Sequence, residues 1–244
     1  MKDVLFLVVS VLVLTSCKID VGNWGNGERI EPSNEIVTKT YKLSPFEEVN
    51  MNCFGSVELI QSDDKDGTVE LTAPENYIEF YSFESKGNKL DIGFKKRNIN
   101  IDGTKNKIKV YTNDLIKIQN SGAASIRMDK LDTDKLTVVN SGVGEIRVAG
   151  ITDDADLINS GVGEIRVAGI TDDAELVCSG VGSIEAKDLK ALNVKAKVSG
   201  VGSISCYASN SLEGSVSGVG SLKYAGHPKH LEKRRTGVGS ISEM

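Results

Sequence analysis

The chain has 244 residues, 39% hydrophobic but only 5% aromatic, with 25 glycines against 4 prolines. That balance disfavours a helical bundle and favours many short strands joined by tight turns. The 34 acidic residues outnumber 29 basic ones, which excludes the basic excess of a dedicated nucleic-acid binder, and two histidines with four cysteines leave little material for metal or nucleophile chemistry.

Residues 1–16 read as a leader. After Lys2 an apolar run extends from Val4 to Val9 and resumes from Val11 to Leu14. It is too short for a bilayer span, which takes about 20 apolar residues, and fits the apolar region of a secretory signal. The run ends Leu14-Thr15-Ser16-Cys17, which resembles the bacterial lipobox. There a cysteine is diacylated, exposed by cleavage and then N-acylated with palmitate-type chains. Cys17 is therefore the expected lipidation site, and two or more chains anchor stably where one is marginal. Lys18 follows, not the aspartate that retains many lipoproteins in the inner membrane. The expected place is the outer membrane of a Gram-negative cell envelope, with the periplasmic and the surface-facing leaflet both open. Residues 17–40, with Gly22, Gly25 and Gly27, read as the acylated cysteine and a flexible tether.

Residues 41–244 form the expected folded domain. Its first part, 41–119, reads as aromatic-rich N-terminal coils with a cap. Ser56 to Gln61, Thr68 to Thr72 and Lys107 to Tyr111 alternate as strands do, with turns at Asp63 to Gly67 and Lys86 to Asn88. Tyr77, Phe80, Tyr81 and Phe83 are expected to cap one end of the repeats that begin at residue 120, since end repeats need covering.

From residue 120 to 244 the chain repeats. Ser-Gly occurs at Ser121, Ser141, Ser160, Ser179, Ser199 and Ser217, then Thr236-Gly237, at spacings of 20, 19, 19, 20, 18 and 19. Residues 140–158 and 159–177 match at 17 of 19 positions. A fixed period of this size signals a solenoid. It is too short for a helix pair, and the leucine scaffold of leucine-rich repeats is absent. The predicted fold is all-β: a single-stranded parallel β-helix with about 19 residues per coil and strands stacked ~4.8 Å apart.

Alternation sets the faces. Ala155, Leu157 and Asn159 point inward, as do Ala174, Leu176 and Cys178 one coil on, then Val194, Ala196 and Val198, then Leu212, Gly214 and Val216. Asp156, Glu175, Lys195 and Glu213 face water. Val143 with Ile146, and their counterparts up to Val219 with Leu222, are expected to fill the rest of the core. Asn120, Asn140 and Asn159 share one inward column and read as a ladder of stacked amides, because an unpartnered buried amide is costly. Gly142, Gly161, Gly180, Gly200 and Gly218 hold the same corner and are expected at positive φ or in close contact between coils. Cys53, Cys178 and Cys206 are odd in number once Cys17 is acylated and read as buried free thiols.

Chemistry-bearing groups are sparse. Asp153, Asp154 and Asp156 recur as Asp172, Asp173 and Glu175, a stack that could recruit calcium but lacks the nonapeptide of calcium-binding rolls. Arg127, Arg147 and Arg166 stack outward beside Glu145 and Glu164; this is the one candidate ligand face, against the plainer reading of a solvated charge grid. His227 and His230 have no third metal ligand nearby. No catalytic triad, phosphate loop, metal set or cofactor site is expected.

With these features in view, the stretch from about Phe46 to Ile241 resembles the putative auto-transporter adhesin, head GIN domain, family. The resemblance rests on Phe46-Glu47-Glu48-Val49, Ser56 to Gln61, Val69 to Asn76, Lys89 to Ile92, the Ser-Gly-Val-Gly corners and the closing Leu222 to Pro228. Gly122-Ala123-Ala124 departs from the corner pattern. The resemblance implies a right-handed, pectin-lyase-like β-helix without catalytic residues, secreted or lipid-anchored, serving adhesion. The expected partners are the membrane, through the lipid, and a glycan or protein of a host or neighbouring cell; no nucleic acid is expected. A glycan-binding or polysaccharide-degrading protein using the Arg127/Arg147/Arg166 face is the alternative.

Overall fold

In the computed structural model, residues 28–96 and 99–244 are described. The leader, Cys17 and residues 18–27 lie outside them; in the rest of the stretch read as a tether to residue 40, Glu28–Arg29 pairs with Ile99–Asn100, and the strand that begins at Ile36 pairs with Thr68–Pro74. Over the described residues the chain is a β-solenoid of about 7 turns, 71% strand, with parallel coils about 19 residues apart. One coil shows the plan. Val143–Ile151 forms one wall and Asp154–Asn159 the other. In the next coil Val143 lies opposite Val162, Ile146 opposite Ile165 and Leu157 opposite Leu176. Near-identical repeats place each residue over its own counterpart.

The narrow core lies between the walls. Ala155, Leu157, Leu176, Val194, Ala196, Val198, Leu212 and Val216 line one side, and Ile146, Ile165, Ile184, Ile204 and Leu222 the other, all buried. Burying each valine, leucine or isoleucine of this set fully stabilises by about 1.5–3 kcal/mol relative to leaving it exposed. Asn120, Asn140 and Asn159 are fully buried in the same column. Asn120 Nδ2 donates to Asn140 Oδ1 at 3.0 Å and Asn140 Nδ2 to Asn159 Oδ1 at 3.2 Å. Asn159 Nδ2 ends the chain of bonds on the carbonyls of Gly163 and Ser183. Each donor drawn from water by burial is thereby satisfied.

The corner valines correct one expectation. Val143, Val162, Val181, Val201, Val219 and Val238 are 40–77% exposed, not inside. Counting from Asn140, the inward positions are 140, 142, 144 and 146, so strict alternation puts residue 143 outside. From Gly142 onward the inward corner positions are glycines because no Cβ fits there, whereas the earlier corners hold Cys53 and Ala124 inside. A Cβ on Gly161 would stand 2.1 Å from the Gly142 carbonyl oxygen, and one on Gly180 2.1 Å from that of Gly161. Positive φ is found at the second glycine of the corner, Gly144 (132°), Gly163 (139°) and Gly182 (147°), not at the first.

The N-terminal part holds further coils. Glu48–Met51 pairs in parallel with Lys117–Asn120, and Phe54–Gln61 with Ala123–Asp132. Residues 48–61 thus make a coil of their own, in which Asn52-Cys53 occupies the corner that Ser121-Gly122 occupies in the next. Lys89–Phe94 and Lys107–Thr112 pair in parallel with this coil on its other side. The spatial order is therefore not the chain order. Three antiparallel pairings then end the stack: Tyr81–Lys86 on Lys89–Phe94, Thr68–Pro74 on Lys107–Thr112, and Ile36–Lys42 on Thr68–Pro74. Tyr77, Phe80 and Tyr81 are buried here, with Tyr81 4.8 Å from Phe94 between ring centroids.

Candidate functional site

Two outward surfaces and one groove are worth testing as sites. The first is the corner itself. On each side of the exposed valines run hydroxyls: Ser179, Ser199, Ser217 and Thr236 on one, and Ser183, Ser203, Ser221 and Ser240 on the other. The latter are direct neighbours in register, as are Val181, Val201, Val219 and Val238. From residue 179 onward the corner is an uncharged Ser-Val-Ser ribbon repeated once per coil. In the two preceding coils Glu145 and Glu164 replace the second serine.

The second surface carries the arginines. Arg127, Arg147 and Arg166 are successive neighbours in one outward row. The structure does bring them together, but each already faces a carboxylate. Arg127 Nε lies 2.5 Å from Asp129, Arg147 Nε 2.6 Å from Glu145, and Arg166 Nη2 2.9 Å from Glu164. Glu58 and Glu185 flank the row in register. Glu58 itself lies 3.4 Å from Lys109 Nζ, and five carboxylates for these four cations leave no excess positive charge to hold a polyanionic sugar. Exposed pairs of this kind contribute little to stability.

The groove, about 910 Å³ and open to solvent, lies on the other wall and is lined by Asp154, Asp156, Asp173, Glu175, Glu213 and Lys195 among others. Its carboxylates are spread and partly engaged. Asp156 lies 3.4 Å from Lys135 Nζ, and Asp173 Oδ1 accepts from Asn193 Nδ2 at 2.9 Å. Among the described residues no group of three or more His, Cys, Asp or Glu could hold a metal ion.

Cys53, Cys178 and Cys206 are free and buried. Burial pushes the thiols of Cys53 and Cys206 up to about 12 and raises that of Cys178 as well. The thiolate is the reactive form, so these are poor nucleophiles. In native protein at pH 8, iodoacetamide should modify them far more slowly than in urea; equal rates would contradict their burial. A raised thiol pKa adds stability that is whole below the ordinary thiol value of 9.0 and drains away as pH climbs towards 12.

The corner glycines Gly142, Gly161, Gly180, Gly200 and Gly218 sit against one another between the walls, each inward position within 2.2 Å of a carbonyl below if a Cβ were present. They hold the ribbon's spacing and touch no candidate ligand surface. Sequence reasoning missed the ribbon because it assigned the valines to the core.

The parallel coils, the stacked corners and the N-terminal closing strands can now be set beside known proteins. The model of the putative auto-transporter adhesin, head GIN domain, family matches residues 45–228. The chain belongs to that family. A putative adhesin from Bacteroides fragilis has 30% identity and a TM-score of 0.85, covering 88% of this chain and 100% of its own. A putative lipid binding protein from Parabacteroides distasonis has 25% identity and a TM-score of 0.74, covering 89% and 100%. A putative adhesin from Parabacteroides merdae, at 18% identity, TM-score 0.62 and coverage of 89% and 100%, shares the fold. Among curated proteins none matches the chain. Head GIN domain membership and these neighbours fit an adhesin-like protein of the cell surface or envelope. No helix among the described residues is long and apolar enough to cross a membrane.

Proposed function

We propose that this protein is a non-enzymatic envelope lipoprotein that presents a rigid solenoid for adhesion, its contact surface being the Ser-Val-Ser corner ribbon. The observation that carries this is the exposure of six valines, 40–77%, in one unbroken line. Exposed apolar patches rimmed by polar groups mark interaction surfaces. The ribbon offers methyl groups and hydroxyls at a fixed repeat of ~4.8 Å, suited to a protein or glycan surface on a host or neighbouring cell. The paired arginine row speaks against the polysaccharide-lyase alternative.

Reach supports the same reading. On the corner's wall, the chain of pairings from Ile36–Lys42 to Val238–Glu243 comprises eleven strands. At ~4.8 Å each they span roughly 48 Å. A lipid on Cys17 would tether the Ile36 end and leave the far coils projecting.

Two experiments test this. Cys17→Ala is expected to release the protein from membranes; a variant that still partitions with them like wild type places the anchor elsewhere. Val181→Ser/Val201→Ser/Val219→Ser changes only exposed side chains and stacks no charges, and each such substitution typically costs within about 0.5 kcal/mol. Cells carrying it should attach to host-cell monolayers no better than a deletion strain. Undiminished attachment by the deletion strain would overturn adhesion itself, and undiminished attachment by the triple variant alone would overturn the ribbon. Flotation of the wild-type protein with vesicles, lost in the triple variant, would instead make the ribbon's partner a lipid.

A further inference from the structure

The coil from His230 to Glu243 breaks the rule that every coil before it obeys. His230–Arg235 stacks on the coil beneath with Leu231 over Leu212, Lys233 over Gly214 and Arg235 over Val216. Val238–Glu243 stacks with Ile241 over Leu222 and Glu243 over Tyr224. These are the inward columns. In the earlier repeat coils they hold Ala, Val, Leu, Ile, Met, Gly, Asn, Cys or Tyr; here three of the five positions are ionisable. Each of the three is turned aside onto a neighbour. Lys233 Nζ sits 4.6 Å from the centre of the Tyr224 ring, Arg235 Nη1 donates to the Gly239 carbonyl at 3.1 Å, and Glu243 Oε1 lies 2.7 Å from His227 Nδ1.

All six residues of His230–Arg235 are exposed. Among the described residues neither this strand nor Val238–Glu243 has a partner on its outer side. An open strand edge of this kind is a template for pairing with another chain, and charges pointing inward from it are one device that blocks such pairing. A further coil, or a second solenoid set end to end, would have to bury Lys233, Arg235 and Glu243 away from water, and burying unpaired charge is strongly unfavourable. Leu231, 45% exposed in its inward column, is the apolar surface that the edge would otherwise offer.

We propose that Lys233, Arg235 and Glu243 close this end of the solenoid against a second copy of the same chain. The proposal does not depend on the adhesive reading. It predicts that a stack of self-similar coils, each able to accept another, stays single along its axis. The closure is in the side chains, so restoring the apolar columns should open it.

The test compares the full chain in detergent, sized by light scattering over a range of concentrations. Lys233→Ala/Arg235→Val/Glu243→Val puts back the residue types of the earlier coils. Glu232→Ala/Arg234→Ala removes two outward charges that pair with each other on the same strand, and so controls for loss of charge alone. Wild type and the outward variant should remain single copies. The inward variant should form end-to-end dimers with an association constant at least tenfold higher. Should the inward variant lose its β-sheet circular dichroism, Arg235→Val alone, removing one inward charge, decides the matter by the same measurement. A folded inward variant that stays single, or an outward variant that associates equally well, would overturn the proposal.

Discussion

Gly161→Val is expected to lower the urea midpoint by about 1 M or more, whereas Asp156→Ala leaves it nearly unchanged. Gly161 lies at the inward side of a corner where a Cβ would approach the Gly142 carbonyl oxygen to 2.1 Å and the Ser141 carbonyl carbon to 2.8 Å. Both are backbone atoms, so no side chain can swing away. Overpacking of a filled site typically costs about 1–3 kcal/mol, and here the displaced strand is held in register with the coils on both sides. The φ of Gly161 is ordinary, so the cost comes from contact and not from backbone strain. Asp156, by contrast, faces water and meets only Lys135 at 3.4 Å, in a pair whose side chains are 35% and 59% exposed. Such a change usually stays within about 0.5 kcal/mol. Equal midpoints for the two variants would mean that coils do not stack in the register described.

Asn140→Ala is expected to cost about 2–4 kcal/mol, the second large effect. Asn140 is the middle rung of the buried ladder. Its loss removes the bond from Asn120 Nδ2 and the bond to Asn159 Oδ1. Asn120 Nδ2 keeps the Val143 carbonyl at 3.2 Å, but Asn159 Oδ1 is left without its donor in a site with no solvent access. A small cavity adds to the cost of the orphaned acceptor. Ser141→Ala, one residue along and exposed, serves as the control. If the two variants melt alike, the amides are not carrying one another.

The ladder was legible in the sequence because Asn120, Asn140 and Asn159 recur at the coil spacing in a column that is otherwise apolar. The same spacing gave away the parallel stack, since a 17-in-19 match between adjacent repeats leaves one register that superposes like on like. The corner valines were misread for a physical reason. Hydrophobicity argued for burial, but the inward positions beside them are too tight for any Cβ, and the chain gives them to glycine. Coils within 41–119 were expected, but the bounds of the one at 48–61 were not legible because Asn52-Cys53 replaces Ser-Gly at its corner, and because residues 89–112 are inserted beneath it out of chain order. Sequence spacing cannot show a strand that pairs backwards past its neighbour. The arginine row was placed correctly as outward, yet its neutralisation depends on which carboxylate each guanidinium meets, and this is a matter of side-chain geometry. The closing charges of the last coil were present in the sequence as Lys233, Arg235 and Glu243. They gained meaning only once the register put them over Gly214, Val216 and Tyr224.

Whether the ribbon can meet another cell rests on where the solenoid faces. The three buried cysteines provide a low background for answering this on living cells. Ser199→Cys places a thiol on the exposed corner of a central coil, two positions from Val201. A membrane-impermeant maleimide applied to intact cells should label this variant strongly and wild type little. Labelling that appears only after the outer membrane is permeabilised would put the solenoid in the periplasm and contradict its role as a surface adhesin.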